Sequence, residues 1–113
     1  MIRGIGVDIV SVARIEVAMK RDGFLERILT PDELDLDLVP MRVASRWACK
    51  EAIYKALGGG IKWQDLSIVN DDSRAPLIVW HRDISEFGNV KIHVTLTHER
   101  ENAVAVAIVE SFE

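Results

Sequence analysis

Five side chains in this 113-residue sequence have the types and positions needed for joint chemistry. Asp8 and Glu51 are carboxylates that lie far apart in the chain, and Lys55 follows Glu51 by one helical turn. Arg46 and the strand-end residue His98 add further positive or titratable groups. Carboxylates without a cysteine or histidine cluster suit a hard divalent cation such as Mg²⁺. A metal beside cationic side chains is typical of phosphoryl transfer, where catalysis is mostly positioning and charge neutralisation.

Each of these residues also has a purely structural interpretation. Asp8 could cap the helix that follows the first strand. Glu51 and Lys55, four residues apart, could form a surface ion pair worth only about 0.2–0.5 kcal/mol. His98 could be a packed or merely exposed histidine. The serines show no nucleophile motif and no evident histidine partner, so we expect an attacking hydroxyl to belong to the substrate.

The stretch from Arg46 to Gly58 predicts a helix that is apolar around most of its surface. Small alanines share one edge of this helix with Glu51 and Lys55, which lets another backbone or a ligand approach closely. Buried charges cost several kcal/mol unless something pairs with them. Glu51 and Lys55 are therefore expected to face each other or a ligand, and Gly58 is expected to end the helix in a left-handed conformation.

Charge is distributed unevenly along the chain, whose formal net charge is −4. Residues 41–63 carry five basic residues against Glu51 alone, whereas residues 31–40 carry four acidic residues and no base. The central helix is thus a cationic island suited to an anionic small molecule, or else a solvated face. The net charge argues against a nucleic-acid partner, and no stretch is long and apolar enough for a membrane span. One cysteine, Cys49, excludes an internal disulfide, and we expect a cytoplasmic location.

The first ten residues predict a strand that would present Asp8 on one face. Period two places Ile5, Val7 and Ile9 on one side and Gly4, Gly6 and Asp8 on the other. The two glycines leave room for something to approach the backbone and meet the carboxylate.

Helices and hairpins follow that strand. Ser11 is a candidate N-cap for the first helix, and a second helix spans residues 24–29. Thr30 and Glu33 form a capping-box pattern, and the central helix begins near Met41. Two hairpins are expected, residues 66–69 with 77–80 across a polar loop at 70–76, and residues 91–97 with 103–109. The order of one strand, three helices and four strands predicts a single α+β domain, residues 1–113, with helices on one face of a mostly antiparallel sheet.

Four blocks of the sequence together resemble the holo-[acyl-carrier-protein] synthases, the small type of 4′-phosphopantetheinyl transferase. The blocks are residues 4–10 with Arg14, residues 27–30 with Glu33 and Leu34, residues 46–52 with Lys55 and Gly58, and residues 94–98. The resemblance implies the 4′-phosphopantetheinyl transferase fold and a Mg²⁺-dependent enzyme. Such an enzyme moves the phosphopantetheine arm of coenzyme A onto a serine of an apo acyl carrier protein and releases adenosine 3′,5′-bisphosphate.

The resemblance also implies roles for particular residues. Asp8 and Glu51 match the family's Mg²⁺ ligands, and Lys55 matches a lysine near the reacting phosphate. A metal-bound water, Asp8 or Glu51 is left to accept the serine proton. The remaining matches are coenzyme A contacts at Arg46, Lys55, Gly58, Thr97 and His98, and carrier-protein docking residues at Arg14, Lys20 and Arg21. Proteins of this type work as homotrimers with sites between subunits.

Two segments depart from the family pattern. The segment between Glu33 and Arg46 is shorter than usual and keeps only Arg42 of an expected basic cluster. Arg74 and Ala75 precede a proline where glycine is common. The thinned basic cluster motivates an alternative function, a non-catalytic module that binds coenzyme A or a carrier protein. A purely structural trimeric partner domain is a third hypothesis.

Overall fold

The computed structural model describes residues 1–70 and 72–112, which form an α+β fold. Asp71, in the predicted polar loop, and Glu113 lie outside the described residues. The strands are β1 (Ile2–Ser11), β2 (Leu66–Asn70), β3 (Pro76–Trp80), β4 (Val90–His98) and β5 (Asn102–Ser111). The helices are α1 (Val12–Ala18), α2 (Phe24–Ile28), α3 (Pro31–Leu34) and α4 (Pro40–Leu57), with short 3₁₀ helices at Trp63–Asp65 and Ser85–Phe87.

All strand pairs in the described residues are antiparallel, as the sequence predicted. They form two sheets, a three-stranded sheet in the order β1-β5-β4 and a separate β2-β3 hairpin. The fold class is therefore confirmed. The count of three helices was wrong, because the segments before and after Thr30 form separate helices and α4 is the fourth.

The helix N-caps predicted from the sequence are present in the structure. The hydroxyl of Ser11 accepts a hydrogen bond from the backbone N–H of Arg14 and caps α1. Thr30 and Glu33 form the complete capping box of α3. Because Ser11 caps α1, the interpretation of Asp8 as that helix's cap is wrong. The central helix begins at Pro40, one residue before the predicted start near Met41, and proline in the first turn costs nothing for its missing N–H.

Helix α4 lies directly against the glycine face of β1. A Cβ atom on Gly4 would come within 1.9 Å of the carbonyl oxygen of Ala56, and one on Gly6 within 2.1 Å of that of Ala52. No side chain fits in this gap, so the approach that the glycines allow is that of the helix itself. Asp8 is the next residue on the same face of β1, and its carboxylate contacts α4 at Lys55.

The opposite face of the three-stranded sheet is apolar and open. Ile5, Val7 and Ile9 are 68%, 56% and 65% exposed. Across the sheet, Val106 pairs with Val7 and Ile108 pairs with Ile5, which extends the same apolar face onto β5. The core instead lies between α4 and the alternating small residues of β5 that face it, namely Ala103, Ala105, Ala107 and Val109.

Candidate active site

Asp8 and Lys55 meet at the contact between β1 and α4. The Lys55 Nζ atom donates to the backbone oxygen of Val7 at 3.0 Å and to Oδ1 of Asp8 at 3.3 Å. The other carboxylate oxygen of Asp8, Oδ2, is buried and has no hydrogen-bond partner among the described residues. A buried carboxylate oxygen without a donor is costly, so it is suited to receive a cation.

Glu51 lies one helical turn before Lys55 and shares a cavity with Asp8. Burial raises the pKa of Glu51, the negative charge of Asp8 raises it further, and the ammonium of Lys55 opposes both effects. Within the described residues Lys55 forms its ion pair with Asp8 and not with Glu51. The interpretation of Glu51 and Lys55 as an ordinary surface pair is therefore wrong.

The cavity that Asp8 and Glu51 share has a volume of about 820 Å³ and is mainly apolar. Two of the predicted docking residues, Arg14 and Arg21, line it, whereas Lys20 is exposed beside it. The full lining consists of Asp8, Ile9, Val10, Ser11, Ala13, Arg14, Ile15, Val17, Ala18, Arg21, Phe24, Trp47 and Glu51. An open groove with an apolar floor and cationic rims opens onto two neighbouring carboxylates.

A row of aromatic rings separates this cavity from a second one of about 540 Å³. Phe24 stacks on Trp47 at 6.1 Å, Trp47 contacts Trp63 at 5.7 Å, and Tyr54 contacts Trp63 at 5.9 Å between ring centroids. Glu51 lines both cavities. Trp47 and Tyr54 are seven residues apart on α4, and that spacing is the signal that places both rings beside Glu51.

Arg46 and His98 line a third cavity that shares no residue with the other two. Burial lowers the pKa of the Arg46 guanidinium, while nearby Glu33 opposes that effect. The Arg46 Nε atom donates to the backbone oxygen of Ile68 at 3.1 Å, and Nη1 donates to that of Arg42 at 3.3 Å. Within one chain, the predicted site residues are thus split between two places.

Gly58 and Thr97 line none of these three cavities. Gly58 ends α4 with a φ of 79°, which is the predicted left-handed C-cap. Thr97 pairs with Val104 and lies on the open face of the sheet, whereas its neighbour His98 points toward α4. Among the described residues there is also no group of three or more histidine, cysteine, aspartate or glutamate side chains able to hold a metal by themselves.

Comparison with known proteins decides the family. The family model described as "4'-phosphopantetheinyl transferase superfamily" matches residues 4–109. The chain belongs to that superfamily. A holo-[acyl-carrier-protein] synthase from Geobacillus sp. (strain WCH70) is 41% identical, with 97% of this chain and 98% of that protein covered. The sequence-based recognition of the family is confirmed, and with it the prediction of an enzyme.

Solved structures of transferases agree with this assignment. A holo-(acyl-carrier-protein) synthase from Bacillus anthracis str. Ames, in complex with CoA (3′,5′-ADP), has a TM-score of 0.85 and 35% identity, and 99% of each chain is covered. The Helicobacter pylori holo-[acyl-carrier-protein] synthase in complex with coenzyme A has a TM-score of 0.81 and 36% identity, with 94% of this chain and 99% of that chain covered. The transferase fold is confirmed over almost the whole chain.

The transferase buries an ion pair that sequence reasoning missed. Lys50 was expected to belong to the cationic island, but it is 1% exposed and donates to Oε1 of Glu33, which is 0% exposed, at 2.6 Å. Its other two protons go to the backbone oxygens of Ile28 and Trp63. Lys50 is therefore not available to an anionic ligand. The three contacts fix α4 against α2, α3 and the 3₁₀ helix whose Trp63 lines the second cavity.

One serine of the transferase does have a histidine partner, contrary to the prediction. Ser67 Oγ lies 2.6 Å from Nε2 of His81 and 2.6 Å from Oγ1 of Thr30. Ser67 is 0% exposed, so its hydroxyl cannot reach a substrate. The carboxylate of Asp32 lies 3.8 Å from the same nitrogen, Nε2, and not from Nδ1 as a catalytic triad requires. The expectation that an attacking hydroxyl belongs to the substrate is retained.

Cys49 is buried in α4, and burial raises the pKa of its thiol to about 12. A thiol with so high a pKa is not a nucleophile near neutral pH. Among the helices that the structure describes, none is long and apolar enough to cross a membrane.

Proposed function

We propose that this protein transfers the 4′-phosphopantetheine arm of coenzyme A to a serine of an apo acyl carrier protein. The serine oxygen forms a bond to the pantetheine-side phosphorus, and the bond from that phosphorus to the bridging oxygen breaks. The serine proton leaves to a base, and adenosine 3′,5′-bisphosphate is released. The observation that carries the proposal is the family match over residues 4–109, in which Asp8 and Glu51 line one cavity and Lys55 pairs with Asp8.

We further propose that Asp8 and Glu51 hold Mg²⁺ on the pyrophosphate of coenzyme A. Two observations on the described residues support a cation site here. Oδ2 of Asp8 is buried without a hydrogen-bond partner among them, and the pKa of Glu51 is raised by burial and by the charge of Asp8. Mg²⁺ commonly uses only one or two protein carboxylates together with phosphate oxygens and water. When bound, the metal would neutralise negative charge on the pyrophosphate.

Lys55 is suited to stabilise charge at the reacting phosphate. Its ammonium has three protons, and two are used on Val7 and Asp8. Its side chain is 50% exposed, so the third proton is available to a phosphate oxygen. The contact with Asp8 holds the ammonium beside the proposed metal ligands, which limits the reorganisation needed in the transition state.

The groove lined by Arg14 and Arg21 is the proposed docking surface for the carrier protein, with Lys20 at its edge. These three cations flank an apolar floor that leads to Asp8 and Glu51. Positive rims attract an acidic partner and orient it, while the apolar floor supplies contact area. A cytoplasmic location stays a prediction.

The function is tested by weighing the carrier protein. The protein is incubated with Mg²⁺, coenzyme A and a proven apo carrier protein, and the carrier is analysed by mass spectrometry. We expect a mass increase of one phosphopantetheine group and an equal amount of adenosine 3′,5′-bisphosphate. A carrier whose acceptor serine is replaced by alanine and a reaction with a metal chelator should show no increase. Binding of coenzyme A without any mass increase under these conditions would instead support the non-catalytic binding module.

We also propose that the protein acts as a homotrimer with sites between subunits. The open apolar face of β1 and β5 supports this, because large exposed apolar patches commonly mark association surfaces. The separation of the Arg46–His98 cavity from Asp8 and Glu51 gives a second reason. In a trimer, one subunit's cavity would complete the neighbour's site. Thr97, on the open face, would then face another subunit.

Val7→Glu should dissociate the assembly, because it places a charge at the centre of the open face, where Val7 is 56% exposed in one chain. We expect the wild type to sediment at three times the 12.7 kDa chain mass and Val7→Glu to sediment as a monomer. The variant should keep its circular dichroism spectrum but lose most transferase activity. Val79→Glu, which alters an exposed valine of the β2-β3 hairpin, serves as the matched control. A monomeric, fully active wild type would contradict the proposal.

A further inference from the structure

The cavity that contains Arg46 and His98 is built to receive an anion. Its volume is about 250 Å³, and it lies between the first turns of α4, the end of β4 and the loop that leads to β3. Three arginines and one histidine line it, and none of its lining residues is a carboxylate. The lining consists of Met41, Arg42, Ser45, Arg46, Ile68, Asn70, Arg74, Pro76, Leu96 and His98. The amino-terminal end of α4 adds a partial positive charge.

Two of the three arginines are already engaged. Arg46 is 8% exposed, and it uses Nε and Nη1 on backbone oxygens. Arg42 pairs with Asp37 at 3.6 Å, and both side chains are more than half exposed. The short segment before Arg46 supplies no other base to the cavity.

Arg74 differs from these two in both its backbone and its surroundings. Its φ is 67°, the only left-handed value at a non-glycine residue in the described part of the chain. Its guanidinium is exposed, and it has no acidic partner within 4.0 Å among residues 1–70 and 72–112. The backbone at Arg74 thus has a conformation that favours glycine, although the residue carries a guanidinium. This guanidinium lines a cavity in which the charges of Arg42 and Arg46 are partly neutralised.

We propose that Arg74 binds the 3′-phosphate of coenzyme A and makes this protein selective for donors that carry it. The inference rests on the proposed function. In the proposed trimer this cavity completes a neighbour's site, and it shares no residue with the cavity that holds Asp8 and Glu51, so we expect it to receive a phosphate other than the pyrophosphate that those carboxylates bind. In coenzyme A, the phosphate separate from the pyrophosphate is the 3′-phosphate. A guanidinium binds such a group through two parallel hydrogen bonds.

Arg74 therefore compensates for the thinned basic cluster. The segment between Glu33 and Arg46 keeps only Arg42, in the first turn of α4, and the β2-β3 loop adds Arg74 to the same cavity. The two segments that depart from the family pattern are separate in sequence, but Arg42 from the first and Arg74 from the second line the same cavity. Arg74 acts on recognition of the donor and not on the chemical step.

Arg74→Gly tests this proposal, because glycine accepts the left-handed backbone and removes only the side chain. Steady-state transfer is measured with coenzyme A and with 3′-dephospho-coenzyme A. We expect kcat/KM for coenzyme A to fall about tenfold, through KM, as for loss of an exposed charge-assisted hydrogen bond. With the dephosphorylated donor we expect a change of less than twofold. Arg74→Gly should therefore lose most of the preference that the wild type has for coenzyme A over 3′-dephospho-coenzyme A.

Two further variants sharpen the test. Arg74→Lys keeps the charge but not the two parallel hydrogen bonds, and its selectivity should be intermediate. Arg100→Ala removes the same charge from the exposed β4-β5 turn, and it should change neither value by more than twofold. Equal losses for both donors in Arg74→Gly would indicate a structural effect and overturn the proposal. An unchanged preference, or a loss confined to the KM for the carrier protein, would overturn it as well.

A binding measurement separates failure of this inference from failure of the proposed function. Calorimetry compares adenosine 3′,5′-bisphosphate with adenosine 5′-monophosphate on the wild type and on Arg74→Gly. The wild type should bind the bisphosphate more tightly, and the variant should lose most of that difference. If the wild type fails to modify a proven apo carrier, the proposed function is wrong, and this measurement still decides whether Arg74 recognises a 3′-phosphate. Equal affinities for the two nucleotides in the wild type would overturn the role of Arg74.

Discussion

Replacing Asp8 with asparagine is expected to reduce kcat/KM for transfer at least about a hundredfold, because a metal ligand contributes several kcal/mol to the transition state. The same change should leave the free energy of unfolding unchanged or increase it. Oδ2 of Asp8 is buried and has no partner among residues 1–70 and 72–112, so its charge costs stability in the metal-free protein. The amide keeps an oxygen that can accept the bond from Lys55. The loss of activity should therefore not be accompanied by a loss of stability.

The measurement combines kinetics with thermal unfolding. The melting temperature of the wild type should rise when Mg²⁺ is added with coenzyme A, since a ligand that binds only the folded state stabilises it. Asp8→Asn and Glu51→Gln should both lose this response. Asp35→Asn, which removes the same charge at an exposed position, should behave like the wild type in both assays. Normal transfer rates in either site variant would contradict the metal assignment.

Lys50→Met is expected to lower the free energy of unfolding by about 3–5 kcal/mol, the usual cost of breaking a buried ion pair at one partner. Methionine fills a similar volume, so the loss comes from Glu33 and not from a cavity. Glu33 is 0% exposed, and it would retain only the backbone donors of Thr30 and Ile68 and the more distant Arg46. Burial alone lowers the pKa of Lys50, and the charge of Glu33 opposes this, so each charge of the pair supports the other.

The cause of this destabilisation can be tested by urea unfolding of the wild type, Lys50→Met, a double variant and the control Lys20→Met. The double variant Glu33→Gln with Lys50→Met should be more stable than Lys50→Met alone, because it no longer buries an unpaired charge. It should remain less stable than the wild type, since a glutamine amide cannot accept from both backbone donors. Lys20→Met, at an exposed lysine, should change the unfolding free energy by no more than about 0.5 kcal/mol. A double variant whose loss equals or exceeds that of Lys50→Met would contradict an uncompensated charge as the cause.

Much of the fold was predictable because its signals are local. The alternation in β1, the capping box at Thr30 and the glycine at the end of α4 each depend on a few neighbouring residues. The placement of Gly4 and Gly6 on the same face as Asp8 also follows from period two alone. That face then meets α4, which is how the sequence places Asp8 beside the helix that carries Glu51 and Lys55.

The remaining features depend on contacts that no local pattern specifies. Lys50 and Glu51 are adjacent in a helix apolar on most sides, yet Lys50 enters the core while Glu51 lines two cavities. The difference arises because Glu33, which the sequence showed only as a capping residue, lies against α4 from α3. Arg74 lines the cavity of Arg46 from the β2-β3 loop, and no spacing between the two arginines in the sequence predicts this.

The position of β5 in the middle of its sheet sets the order in which the protein can fold during synthesis. β1 pairs with β5, so Ile2 lies opposite Glu110, and β4 also joins the sheet through β5. Until residues 102–111 leave the ribosome, β1 has no partner strand, although α4 has long been complete. Pairing across so many residues is slow to close, and the apolar alternation of β1 stays accessible to other chains meanwhile. Helix α4 is complete well before β5 and can already cover the glycine face of β1, whereas Ile5, Val7 and Ile9 on the other face stay exposed throughout.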